Sequence, residues 1–228
     1  MESCDFKEYD FSHAVKWKTL EFCEINFFLE NVIKQFKDKF ISGIQLQKAN
    51  VTLDPDTAHP RIILSEDHKS MRMGSISQDL PPNPKRFDHY LFVLGREEFT
   101  AGRYFWEVKV SRSNDWALGV ARKSVRRKGQ FKCGPEEGFW VAGNYRGEHM
   151  VPDFTSMSRC ASTVWVSLDC LGGRVAFYDA ETTDLLSVIS GAPFSEESVH
   201  PFFYLGRNKS GCLGPFSGFL RSSLTVTS

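Results

Sequence analysis

The stretch "RYFWEVKVSRSNDWALGVARKSVRRKG", Arg103 to Gly129, joins two alternating apolar runs and ends in a cluster of cations without an acid. In the first run Tyr104, Trp106, Val108 and Val110 fall on one face, and Phe105, Glu107 and Lys109 on the other. That two-residue period is the mark of a half-buried strand. Trp116, Leu118 and Val120 share a face in the second run, after the polar turn Ser111 to Asp115. The spacing predicts an antiparallel hairpin.

A second hairpin is predicted downstream. Val164, Val166 and Leu168 alternate, Asp169 to Gly173 turns the chain, and Val175 and Phe177 return. The Gly172-Gly173 pair offers the positive φ angles that a tight turn needs. The apolar alternating residues of both pairs (Trp106, Val108, Val110, Leu118, Val120, Val164, Val166, Leu168, Val175 and Phe177) are the expected core. From Asn50 onward turn residues recur about every ten positions, the punctuation of a sandwich of short antiparallel strands. Gly129 to Ser162 reads as long loops around one strand near Gly138–Val141, with Trp140 and Tyr145 embedded. Loops of that kind on a rigid sandwich are where binding resides.

The segment Glu21 to Ile44 follows a different period. Phe22, Ile25, Leu29, Val32 and Phe36 recur at spacings of three and four, the stripe of an amphipathic helix. Two readings stand: the tail of a coiled coil through which two copies dimerise, or a helix packed on the following domain. The expected organisation is an N-terminal segment over 1–48, with that helix over about 21–44, and a β domain over 49–228.

Composition narrows the function. Among 228 residues, 28 Lys and Arg balance 28 Asp and Glu, so the chain has no general field for nucleic acid or anionic membranes. The start carries no signal-like apolar run, and no stretch approaches 18 uncharged apolar residues. A cytoplasmic protein without a membrane segment is expected. Six scattered cysteines lack zinc-ligand spacing and read as reduced thiols. No P-loop, GxSxG, HExxH or GxGxxG is present, so no catalysis, metal or cofactor is expected.

Several blocks, in one order, resemble the PRY–SPRY (B30.2) domain. They are "VTLDPDTAHPRIILSEDHKSMR" (Val51 to Arg72), "RFDHYLFVLGREEFTAGRYFWEVKV" (Arg86 to Val110) and "DWALGVARKSVRRKG" (Asp115 to Gly129). "GFWVAGNY" (Gly138 to Tyr145), "LDCLGGRVAFYDAETTDLL" (Leu168 to Leu186) and "PFFYLG" (Pro201 to Gly206) complete the series. The chain is similar to the C-terminal part of tripartite-motif ubiquitin ligases and of butyrophilins. That resemblance implies a curved sandwich of two antiparallel sheets whose loops recognise another protein or peptide. It departs from the family at Ala117, where a polar binding residue is common, and in "CLGPFSGFLRSSLTVTS", where Leu224 and Val226 are left to supply the last strand.

The candidate partner-binding residues are Asn114, Trp116, Trp140, Asn144, Tyr145, Arg146 and Arg207. Trp140, Tyr145 and Trp116 are expected to bury themselves in the partner, with Asn114, Arg146 and Arg207 fixing register. The cations Arg122, Lys123, Arg126, Arg127 and Lys128, with Lys132 beyond, have two readings besides RNA binding, which Phe131 as the only interleaved aromatic supports poorly. They form a solvated loop, or they hold an anionic peptide or phosphorylated metabolite, as the butyrophilin resemblance permits. Trp165 faces away from Val164 and Val166, and either covers the outer sheet or meets the N-terminal helix. Without RING or B-box zinc spacing, the chain itself is expected to select a substrate rather than to ligate ubiquitin.

Overall fold

The computed structural model describes residues 45–110, 114–144, 155–157, 161–194, 197–208 and 223–227. The helix expected over 21–44 lies outside the described residues. Along the chain the strands are β1 (Leu46–Lys48), β2 (Ile62–Leu64), β3 (Ser70–Met73), β4 (Phe92–Leu94), β5 (Arg103–Lys109), β6 (Asn114–Arg122) and β7 (Phe139–Asn144). They continue as β8 (Thr155–Ser156), β9 (Thr163–Asp169), β10 (Arg174–Asp179), β11 (Leu185–Ser190), β12 (Val199–Asn208) and β13 (Ser223–Thr227). An eight-stranded sheet runs β11-β10-β9-β5-β13-β3-β2, with β1 also paired to β5, and a five-stranded sheet runs β4-β12-β6-β7-β8. The β1–β5 and β7–β8 pairs are parallel. The mainly β, two-sheet architecture is the one the sequence predicts.

One expected hairpin does not form. β5 pairs with β9 on one side and with β13 and β1 on the other, whereas β6 lies between β12 and β7 in the second sheet. The two strands therefore stand in different sheets. Trp106, Val108 and Val110 from β5 and its end, and Trp116, Leu118 and Val120 from β6, belong to one core, and none is more than 8% exposed. Alternation reports which residues face the core; it is silent on which strand supplies the hydrogen bonds.

The second hairpin does form. Leu168 pairs with Val175 and Val166 with Phe177 across β9 and β10, and all four side chains are buried. Gly173 turns with φ 58°, and a Cβ there would lie 2.4 Å from the Ala192 carbonyl oxygen. Gly172 does not share that left-handed backbone; its N–H donates to Asp169 Oδ1 at 2.8 Å, which fixes the turn instead. β13 closes the eight-stranded sheet, with Val226 opposite Val108 and Leu224 opposite Met71. Every residue expected in the core is buried.

A second apolar layer covers the outer face of the five-stranded sheet. Phe87, Tyr90, Phe92, Phe139, Phe202 and Tyr204 form it with Ala117, Ala121, Val125, Val141 and Cys133. Phe92 is its centre, with Phe202 edge-on at 4.8 Å and Tyr90 stacked at 5.0 Å. β6 is therefore buried on both faces, with large residues inward and alanines beneath the rings.

The strands β6 and β7 approach closely at two glycines. A Cβ on Gly119 would sit 2.1 Å from the Trp140 carbonyl oxygen, and one on Gly143 2.1 Å from that of Trp116. Backbone atoms cannot yield as a side-chain tip can. Gly119→Ala is expected to cost about 2 kcal/mol or more and to lower Tm by about 4–8 °C. Thermal unfolding followed by near-UV circular dichroism checks this.

Candidate functional site

The register of the five-stranded sheet assembles one end of the candidate site. Trp116 stands opposite both Leu205 on β12 and Asn144 on β7, and Asn114 stands opposite Asn208. The register shifts between Leu205 and Asn208, so Gly206 and Arg207 bulge beside Asp115. A Cβ on Gly206 would meet Asp115 Cβ at 2.6 Å. Bulges of this kind re-aim side chains at functional edges. Thus Asn114, Trp116, Asn144 and Arg207, distant in sequence, come to the same end of three adjacent strands. Tyr145 and Arg146 follow Asn144 and lie outside the described residues.

Burial corrects the expectation for the two tryptophans. Trp116 and Trp140 are each 1% exposed, so the unbound domain presents neither ring to a partner. The Trp140 ring meets Phe194 edge-on at 4.8 Å, and the Arg122 guanidinium lies over it at 5.3 Å. Trp116 backs the strand ends of the candidate site from within, whereas Trp140, opposite Val120, fills the core toward the basic end. Their alternation with core residues carries this signal: Trp116 shares the face of Leu118 and Val120.

Trp165 covers the outer face of the eight-stranded sheet. Its indole N–H donates to Glu107 Oε2 at 2.8 Å, and the Thr227 hydroxyl donates to Oε1 at 2.8 Å. These two donors hold the Glu107 carboxyl below its usual range.

The basic run lies at the opposite end of β6. Arg122 pairs with Val199, and eight residue steps separate it from Asn114, about 26 Å along a strand. Most of its cations fasten the loop to the aromatic layer. Arg127 stacks over Phe87 at 4.8 Å and donates from Nη2 to the Lys123 carbonyl at 2.8 Å. Burial lowers its pKa to about 10. Lys128 Nζ donates to the Asn83 and Arg86 carbonyls at 3.0 and 2.8 Å, and Arg126 lies over Phe131 at 5.9 Å. Lys123 pairs with Glu98 at 3.1 Å. Phe131, which reads as an isolated aromatic in sequence, stacks on Phe139 at 6.0 Å.

Two histidines sit at the edges of this region. Burial lowers the pKa of both His59 and His200 below the usual 6.5. Cys133 and Cys170 are free thiols, and burial raises Cys170 to about 11. Among the described residues no group of three or more His, Cys, Asp or Glu is placed to hold a metal ion. No described helix is long and apolar enough to cross a membrane.

This two-sheet sandwich, with the ends of β6, β7 and β12 gathered at one pole, is the framework of a protein-interaction module. The chain belongs to the PRY–SPRY domain family: the SPRY-associated PRY domain matches residues 51–99 and the SPRY domain residues 103–215. Butyrophilin subfamily 2 member A2 of Mus musculus is 40% identical over 173 residues, which cover 72% of this chain and 33% of that protein. Butyrophilin subfamily 1 member A1 of Mus musculus is 42% identical over 164 residues, covering 70% and 31%. The chain thus spans about a third of the length of these relatives. Among solved structures, the TRIM65 PSpry domain superposes with a TM-score of 0.59 at 21% identity, covering 80% of this chain and 92% of that one. The stonustoxin structure gives 0.62 at 22% identity, covering 79% and 27%. Both likenesses concern the fold.

Two outcomes test the electrostatics. Protonation near pH 6.5 is easier for His59 and His200 in the unfolded chain than in the fold. Stability is therefore complete above that value and falls as pH drops below it. The carboxyls with lowered pKa, Asp67, Glu98 and Glu107, act only in a more acid window. Urea midpoints are expected to fall between pH 7.5 and 5.5, and His200→Gln to shrink the fall. Separately, Phe131→Ala is expected to cost about 1–3 kcal/mol in chemical denaturation, with Lys132→Ala within about 0.5 kcal/mol of wild type.

Proposed function

We infer that the chain is a non-catalytic recognition module that binds a protein or peptide through one pole of the five-stranded sheet. The contact set is Asn114, Asn144, Tyr145, Arg146 and Arg207, with Trp116 buried at the strand ends that carry Asn114 and Asn144. The supporting observation is the register that brings the ends of β6, β7 and β12 together at these positions. In a longer protein carrying a RING, such a module would select the substrate of ubiquitin ligation. A strand end backed by the buried Trp116 suits this role, because a preorganised surface loses little entropy on binding.

A second reading, a sensor of a phosphorylated small molecule, draws on Arg127, whose buried Nη1 makes no hydrogen bond. The engagement of Arg127 and Lys128 with the fold weighs against it. The two readings separate experimentally, because their residues lie at opposite poles.

Affinity for an identified partner is expected to fall at least tenfold in Tyr145→Ala and Arg146→Ala, with Tm unchanged, by isothermal calorimetry. Arg126→Ala is expected to leave that affinity within twofold. Equal affinity in all three variants sinks the assignment. Stabilisation of the wild type by phosphorylated compounds, lost in Arg126→Ala, puts the sensor in its place.

A further inference from the structure

Ser124 occupies the centre of the basic run that the binding pole leaves unused. Arg122 and Lys123 precede it, Val125 follows, and Arg126, Arg127 and Lys128 come next. The residue is exposed, in a turn just past the end of β6. Both of its donors are held by one carboxylate: the backbone N–H donates to Glu197 Oε1 at 2.6 Å and the hydroxyl to Oε2 at 2.6 Å. Next to it, the Lys123 N–H donates to the Ser198 carbonyl at 3.1 Å. A neighbouring acid, Glu98, is engaged by the Ser198 hydroxyl and the Lys123 ammonium. The turn therefore already contains an anion site whose occupant is the Glu197 side chain.

We propose that Ser124 is a phosphorylation site for a kinase that reads basic flanks, and that its phosphate displaces Glu197 as the anion held by this turn. In the transfer, Ser124 Oγ attacks the γ-phosphorus of a nucleoside triphosphate and the bond to the β-phosphate oxygen breaks. Nucleoside diphosphate leaves, and the hydroxyl proton passes to the base of the kinase. Cations on both sides of an exposed hydroxyl complement an acidic kinase cleft.

After transfer the hydroxyl has no proton to give Glu197, and a phosphate of charge near −2 stands where that carboxylate was bound. Like charges at hydrogen-bond distance separate, and Lys123 and Arg126, both exposed, are the adjacent cations that hold the newcomer. The staple from this turn to the approach of β12 is lost.

Val125 sets the condition for the reaction. It is 5% exposed, seated in the outer aromatic layer, so a kinase gripping the flanks acts on the loop while Val125 is lifted. Such local openings are the normal low-energy excursions of a surface turn. The modification thereby couples to the loop that covers Phe87 and Phe131. It acts at the pole away from Asn114 and Asn144, and does not depend on the binding reading.

The test uses the full chain, the catalytic fragment of protein kinase C and magnesium ATP, with phosphate located by peptide mass mapping. One phosphate on Ser124 is expected, absent in Ser124→Ala and retained on the new hydroxyl in Ser124→Thr, both variants keeping the wild-type Tm. Glu197→Ala, with the hydroxyl unclamped, is expected to react at least threefold faster. Phosphorus NMR then reads the second phosphate pKa, near 6 in free phosphoserine. It is expected to lie lower in the modified protein and to return toward 6 in Lys123→Ala/Arg126→Ala. Modification of a peptide spanning 118–131 but not of the folded chain overturns the proposal. So does a phosphate that titrates in the folded chain as free phosphoserine does.

Discussion

The packing of one face of β5 against one face of β6 is the contact on which the rest of this structure depends. Trp106, Val108 and Val110 meet the core from one sheet, and Trp116, Leu118 and Val120 from the other. Each fully buried side chain of this size contributes about 1.5–3 kcal/mol relative to exposure. Each strand is also the middle of its sheet: β5 carries β9 and β13, and β6 carries β12 and β7. Two short runs adjacent in sequence thus organise both layers.

The five-stranded sheet has no wet face, and that determines what the basic run does. Its outer surface is closed by the rings around Phe92 and by segments near Phe87 and Phe131. Arginine suits such a cover, because its stem packs on apolar surface while its planar head lies over a ring. Arg127 over Phe87 and Arg126 over Phe131 follow that pattern. The lowered pKa of Arg127 reflects how far the cation has been drawn out of water.

The same sheet separates two chemistries. At one pole, the register shift between Leu205 and Asn208 sets the positions Asn114, Asn144 and Arg207 at neighbouring strand ends. At the other, Lys123, Ser124, Glu98, Glu197 and Ser198 form a polar cluster tied together by hydrogen bonds. β6 spans the two, and its burial on both faces keeps them apart as rigid ends of one element.

The sequence alone determined the mainly β class, the inward faces of the strands around 104–120 and 164–177, and the family. Period-two alternation is local, and burial of one face enforces it whatever the pairing, so each of the ten core residues was legible. The order of six separate blocks identified the PRY–SPRY domain. What tertiary structure decided was pairing and depth. Hydrogen-bond partners are non-local, so nothing in residues 104–120 distinguishes a hairpin from a crossover between sheets. The second core was written only as the unbroken apolar run Pro201 to Leu205, a pattern that marks a strand buried on both faces. Trp116 and Trp140 are buried because each faces the core between the two sheets. Arg126 and Arg127 lie over the rings of Phe131 and Phe87, and only the folded chain brings those rings there.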